Sequence, residues 1–334
     1  MKLNKILKEH LTPMKGAKIK NGGPLGMGRL GFIAPELAQF AYAAVTVLLI
    51  FFTWTNLKDP SALLFQRVQF LSGTIALWVV YQIWPCKFMI LCRIIYLLLM
   101  LDAWYPDTYE INSQFGCLDH LFAGYEQSLF GFQPSLLFSQ AFSSKAVSEL
   151  MHMGYFSYYL FFVFTTLYIY YSHFKQLERV TYMIFGGFFL CYCIYLVLPV
   201  VGPQYYYAAV GVDEIAHGNF PDIGHYFRDH MTCLAPAGWR DGIFYHLVQW
   251  AHNSGERPTA AFPSSHVAIA TLVMMIVGKM RLWRWLTILA IPYIFLCMAT
   301  VYIYAHYAID AFAGFLTGIA LFFILGGLKL RVKS

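Results

Sequence analysis

The sequence predicts an all-α fold, a multi-pass transmembrane helical bundle of about eight spans. Three observations predict it. Of 334 residues, 59% are hydrophobic and only 12% charged, whereas a soluble domain is about one-quarter charged. Eight apolar segments follow one another, each roughly long enough to cross about 30 Å of hydrocarbon. The basic residues fall into alternate connections, as the positive-inside rule requires.

Residues 1–36 are basic and Gly-rich and lack the apolar run of a cleavable signal peptide. They read as a cytoplasmic tail. Residues 37–334 read as a single transmembrane catalytic domain. Its spans are placed at 37–57, 66–84, 86–104, 154–172, 180–201, 264–280, 284–304 and 306–328, with outer loops at 105–153 and 202–263. Only the WPCK corner separates the second span from the third. Inside the first outer loop, LFAGYEQSLFGFQPSLLFSQAF (121–142) is apolar but broken by Gly and Pro. It reads either as interfacial helices on the outer leaflet or as a loop packed on the bundle.

Charge fixes the count. Lys2, Lys5, Lys8, Lys15, Lys18, Lys20 and Arg29 lie in the tail. Lys175 and Arg179, then Lys279, Arg281 and Arg284, then Lys329, Arg331 and Lys333 follow in later connections. Eight spans put all four groups on one side, the cytoplasmic one. Acids enrich the other side, from Asp107 and Glu110 to Asp241 and Glu256. Losing one of the first three spans would put the tail outside. Lys58, in an outer turn, is the exception. The net charge of +6 is thereby explained by topology, and no nucleic-acid partner is implied. Arg67 and Arg93, near span ends, are expected to snorkel.

The candidate chemistry lies in two places. His266 and His306 are forty residues apart, the length of two crossings of about twenty residues. The chain descends through 264–280, turns at the basic GKMRLWR and returns by 304. Both histidines then reach one outer face, each at the start of a helix. Asp310 follows His306 by four residues and shares its helix face. Its carboxylate is expected to accept a hydrogen bond from one imidazole nitrogen, leaving the other as a nucleophile. Gly314 and Gly318 continue that row as a small-residue stripe for close packing. One histidine at a membrane interface is an ordinary polar residue. His-x3-Asp alone is an ordinary helix-surface pair. Two histidines and an acid on one face are ionisable groups at membrane depth, where function is the default.

Before His266 runs ERPTAAFPSSHVAIA, residues 256–270. Arg257 offers forked donors to a phosphate. Pro263 can begin a helix, with the Ser264 and Ser265 hydroxyls and free N–H groups at its positive end. Arginine, helix N-terminus, two serines and two histidines together specify a phosphoryl group. The sequence has no Gly-rich P-loop and no acidic cluster for Mg²⁺, so the expected chemistry uses no cofactor and no metal.

These residues resemble the type 2 phosphatidic acid phosphatase superfamily. Its central motif, Pro-Ser-x-His, stands here as Pro263-Ser264-Ser265-His266. Its last motif ends in His-x3-Asp, here His306 to Asp310, and its first ends in Arg-Pro, echoed by Arg257-Pro258. The resemblance implies a core six-helix bundle. It makes His306 the nucleophile, Asp310 its orienting group and His266 the acid that protonates the leaving oxygen. Arg257, Ser264 and backbone amides would hold the phosphate; Ser265 stands at the same helix start. Two cations of the pattern are missing: Trp250 stands where the first motif has Lys, and Ala299-Thr300 where the last has Ser-Arg. Arg228 or Arg240 are the substitutes in the same outer loop.

AAFPSSH followed by CMATVYIYAHYAIDAFAGF is similar to the inositol phosphorylceramide synthases and their bacterial relatives. YLVLPVVGPQYYY and LFGFQPS are further, fainter likenesses. That branch implies membrane-lipid partners: a phospholipid donor and a ceramide or diacylglycerol acceptor. The expected function is therefore head-group (inositol phosphate) transfer through a phosphohistidine. The alternative is a metal-independent lipid phosphate phosphatase, and the rival from another class is a non-catalytic transporter. Paired charges along several spans would favour the transporter.

Two side readings remain. His217, His225, His230, His246 and His252 with Asp222, Asp229 and Cys233 allow a zinc site, although the spacing matches no tight ligand pattern; as loop residues they line a head-group pocket. Cys117 and Cys233, the two cysteines in polar loops, allow a disulfide.

Overall fold

In a computed structural model, which describes residues 9–14 and 31–327, the chain is a bundle of helices with no strand among the described residues. In order they are α1 (Ala34–Phe52), α2 (Pro60–Ile83), α3 (Lys87–Asn112), α4 (Asp119–Phe130), α5 (Pro134–Ala141) and α6 (Lys145–Phe156). A π-helical segment (Leu160–Phe164) leads into α7 (Thr165–Ser172), then α8 (Leu177–Tyr195), α9 (Pro203–Val210), α10 (Val212–Ala216) and α11 (Ile243–Gly255). The last three are α12 (Ser265–Lys279), α13 (Trp283–Tyr302) and α14 (Ala308–Gly327). The tail cations from Lys2 to Lys8 and Lys15 to Arg29, and Lys329, Arg331 and Lys333, lie outside the described residues.

Six helices (α1, α2, α3, α8, α13 and α14) are long and apolar enough to cross a membrane. The other two expected spans are shorter, at Leu160–Ser172 and Ser265–Lys279. Fifteen helical residues rise about 22 Å, short of a ~30 Å hydrocarbon core. Counted from the basic turn after Lys279, the first turn of α12 thus lies within the depth of the apolar band. The chain is an integral membrane protein.

Local chemistry sets the helix starts. The Asp59 carboxylate accepts the Ala62 N–H at 2.9 Å ahead of Pro60, and Ser144 caps α6 through the Val147 N–H. Gly131, at φ 79°, closes α4 in the left-handed conformation. Two helices outrun the expected spans. α3 continues past residue 104 to Asn112, and the fourth crossing begins at Lys145 rather than 154. Hydropathy marks the lipid-crossing part of a helix, not the part that continues beyond it. The 119–142 stretch is two helices, with Leu121, Tyr125, Leu129 and Phe130 exposed and Asp119, Ala123 and Glu126 buried. It has both the outward apolar face of an interfacial helix and an inner face packed on the bundle.

α12 packs most extensively on α14, and also on α13 and α8; α6 lies against α13 and α11, and α1 joins the core through α8. Gly314 and Gly318 permit the α12–α14 approach. A Cβ there would lie 2.5 Å from the Ser264 and Ala268 carbonyl oxygens respectively.

Arg67 and Arg93 do not snorkel. Arg67 pairs with Asp107 at 2.7 Å, both buried, with Thr46 beside it. Arg93 binds Glu36 through two nitrogens at 2.7 and 2.5 Å and donates to Gly31 O. These are paired charges on several spans, the feature set above for a transporter. Each links helices among α1–α3. Unpartnered, a buried charge of this kind costs several kcal/mol, so the pairs hold these three helices in register. Cys117 and Cys233 are free thiols, and Cys117 donates to Asp119 instead.

Candidate active site

α12 begins at the Phe262-Pro263-Ser264 corner. The Ser264 hydroxyl accepts the Val267 N–H at 3.4 Å and its own N–H reaches the Asp310 carbonyl at 3.1 Å. Ser264 and Ser265 are buried. The Ser265 N–H faces the Tyr195 hydroxyl, and the His266 N–H takes no hydrogen bond among the described residues. This helix start therefore keeps an unused donor at its positive end, as an anion site requires.

His306 lies in the turn between α13 and α14 and is buried. Its Nε2 is 3.4 Å from His266 Nδ1. Loop arithmetic had placed the two rings at one face, and they stand there with centroids 5.5 Å apart. The expected partner of the other nitrogen is corrected. His306 Nδ1 lies 2.7 Å from the Ala261 carbonyl and 3.9 Å from Asp310. A carbonyl only accepts, so Nδ1 carries the proton and Nε2 holds the lone pair. Asp310 instead accepts the Tyr307 N–H at 2.8 Å. Its four-residue spacing put it on the right face, but the turn before α14 claims its oxygen first. Burial pushes the His306 imidazole down to about 4, against the opposing bond to Ala261. The ring is neutral at pH 7, as a nucleophile must be.

The outer helices fasten this turn. Three tyrosines flank His306, and each hydroxyl meets a side chain from the 119–148 region. Tyr302 meets Ser148 at 2.8 Å, Tyr304 takes the Ser139 hydroxyl at 2.8 Å, and Tyr307 donates to Asp119 at 3.1 Å. Asp119 also accepts the Val201 and Gly202 N–H groups at 2.7 and 2.8 Å. Val200 in turn accepts the Ala261 N–H at 2.9 Å, so Asp119 braces the peptide whose carbonyl holds His306. Gly202 is required there: at φ 91°, a Cβ would lie 2.7 Å from the Ala305 carbonyl. Glu126, seven residues on and on the same face of α4, accepts the Ala308 N–H at 2.6 Å. Burial raises both carboxyls, Glu126 to about 7.

Around His266 the walls are aromatic. The Tyr155 and Tyr158 rings lie at centroid distances of 4.6 and 4.3 Å. Tyr155 also meets His252, at 5.8 Å. Arg257 donates to the Glu256 carbonyl at 3.0 Å and forms no ion pair among the described residues. Glu256 takes the Gln204 amide at 3.2 Å, and burial raises its carboxyl. Arg228 and Arg240 turn to backbone carbonyls, of Asn56 and of Pro236 and Ala235. Thr300 is buried and donates to Cys297 O in its own helix, and Trp250 is largely exposed. Neither replaces the cation of the pattern. The loop histidines do not gather, and among the described residues no three His, Cys, Asp or Glu side chains converge as a metal-ligand group.

Sequence reasoning thus brought His266, His306, Ser264 and Ser265 together and kept Asp310 beside them. It missed the Ala261 carbonyl, Tyr155, Tyr158, Asp119 and Glu126. The two acids carried a signal: a seven-residue spacing is two helical turns, in a segment otherwise too apolar for a charged face. No curated protein and no solved structure matches the chain. A family model of the PAP2 superfamily matches residues 121–324, which run from the outer helices into α14. The chain belongs to the PAP2 superfamily.

Proposed function

We propose that this protein transfers a substituted phosphoryl group between lipids through a phosphohistidine on His306. Membership of the superfamily supports a lipid phosphatase or phosphotransferase type. The observation that carries the reading is the opposed pair, His306 Nε2 and His266 Nδ1 at 3.4 Å, with Nδ1 of His306 locked on a carbonyl. The lone pair of Nε2 forms the N–P bond. The P–O bond to the leaving lipid alcohol breaks, and that oxygen takes a proton from His266. In the second half, the acceptor hydroxyl gives its proton to His266, its oxygen bonds phosphorus, and the N–P bond breaks. Arg257, the Ser264 and Ser265 region and the free His266 N–H of α12 hold the phosphoryl oxygens. Asp310 holds the turn rather than the imidazole.

We favour head-group transfer of the inositol phosphorylceramide synthase kind, from a glycerophosphoinositol lipid to ceramide. A phosphate monoester carries nearly two charges at pH 7, and a diester carries one. Of the three cations in the superfamily pattern, only Arg257 stands here, which suits the diester. The Tyr155 and Tyr158 rings beside His266 make that side apolar, which suits a lipid alcohol rather than water as acceptor. Hydrolysis of a monoester such as phosphatidic acid is the alternative outcome. The basic connections support termini in the cytoplasm and a site on the extracytoplasmic face. The exposed thiol of Cys233 should then react with an impermeant reagent added outside.

The test is product analysis with purified protein, giving labelled glycerophosphoinositol lipid plus ceramide in one arm and phosphatidic acid alone in the other. Label appearing on ceramide is expected, in wild type and not in His306→Ala. Free phosphate from phosphatidic acid without lipid-to-lipid transfer would replace this reading with the phosphatase.

A further inference from the structure

Glu126 stands in a helix that the reaction above does not use. It is fully buried, in the outer helix α4. One oxygen accepts the Ala308 N–H at 2.6 Å, two residues beyond His306, and the Ile309 N–H also faces the carboxyl; the other oxygen has no close hydrogen-bond partner among the described residues. The titratable groups that feel it are Asp310 on α14 and Tyr207 on α9. Neither of these is a cation. Its charge is therefore not consumed by an ion pair among the described residues, and the peptide it holds lies two residues beyond His306 in the same turn. The His306 ring is neutral before reaction and cationic once Nε2 bonds phosphorus while Nδ1 keeps its proton.

We propose that Glu126 is a positioning residue for His306: its carboxylate fixes the Ala308 peptide, and so the turn that aims the imidazole, and its charge stabilises the phosphorylated ring. This rests on His306 being the nucleophile. Asp119 and Asp310 grip the neighbouring residue, through the Tyr307 hydroxyl and N–H. Three carboxylates on two consecutive residues leave the ring little freedom. Misplacement of a reacting group by about 1 Å can cost about a hundredfold in rate.

Glu126→Gln keeps an oxygen for the Ala308 N–H and removes the charge. The expected result is a kcat reduced by about tenfold to a hundredfold, with KM within about twofold of wild type. The pH profile is the second readout. Burial raises the Glu126 carboxyl to about 7, so its charge is lost as pH falls through that value. Wild-type kcat should decline on the acid side near pH 7, and in Glu126→Gln that limb should disappear. Wild-type kcat with an unchanged acid limb in Glu126→Gln overturns the inference, as does a raised KM with kcat intact. Should the variant not fold, rapid-quench labelling of wild-type protein at saturating labelled lipid serves instead, with a rate that falls through pH 7 expected and a pH-independent rate contradicting it. Failure of the parent reading would look different, as absence of labelled protein in wild type at every pH.

Discussion

Two helices begin at the site, and their first turns are treated in opposite ways. α12 starts with a serine cap, turns the Ser265 N–H to the Tyr195 hydroxyl and leaves the His266 N–H unused. α14 starts with its first N–H groups filled by carboxylates, Asp310 on Tyr307 and Glu126 on Ala308. Both helix ends carry the partial positive charge of the backbone dipole, and only one is left open to an anion. Under the proposed function, the difference gives the two sides of the pocket different tasks. The α12 side would receive the phosphoryl oxygens. The α14 side is held rigid by carboxyl groups on Tyr307 and Ala308, which suits an imidazole that must be held in one orientation. Had both ends been open, the phosphate would have two seats, and only one would present phosphorus to Nε2.

The contrast can be broken most severely by making α12 resemble α14. Ser264→Asp retains a cap of equal quality and places a carboxylate where the phosphate would sit. Like charges in contact cost several kcal/mol, so kcat/KM of the folded fraction should fall by about a thousandfold; Ser264 is fully buried, so the added charge should lower the melting temperature in detergent as well. Equal activity in this variant would move the phosphate elsewhere. A smaller effect is expected from the seam between the two helices. In Gly314→Ala the new Cβ would lie 2.5 Å from the Ser264 carbonyl, and such overpacking costs about 1–3 kcal/mol. Thermal unfolding should register it. Gly278→Ala, where nothing lies within 4 Å, is the control that should be neutral or slightly stabilising.

These elements differ in how they are written in the sequence. Bilayer crossing is a property of local composition, so the six long apolar helices were legible, and the other two expected spans fall on shorter helices, Leu160–Ser172 and Ser265–Lys279. The ends of α3 and α6 were not legible, because a helix continues into water on capping and tertiary contacts that hydropathy does not see. The histidine pair was legible because forty residues equal two crossings. The partner of His306 Nδ1 was not: a backbone carbonyl leaves no residue signature, and Ala261 reads as filler. Arg67 and Arg93 looked like snorkelling cations because their partners, Asp107 and Glu36, are 40 and 57 residues away. Glu126 looked like the polar face of an interfacial helix until the fold turned it inward.

The central claim is that His306 carries the phosphoryl group. Its direct measurement is rapid-quench labelling of purified protein with a donor lipid labelled in its phosphate, followed by denaturation and counting of protein-bound label. Label that survives alkali and is lost in acid, present in wild type and absent in His306→Ala, is the predicted result. Turnover of the lipid by wild type with no such label, or label that persists in His306→Ala, would contradict the account.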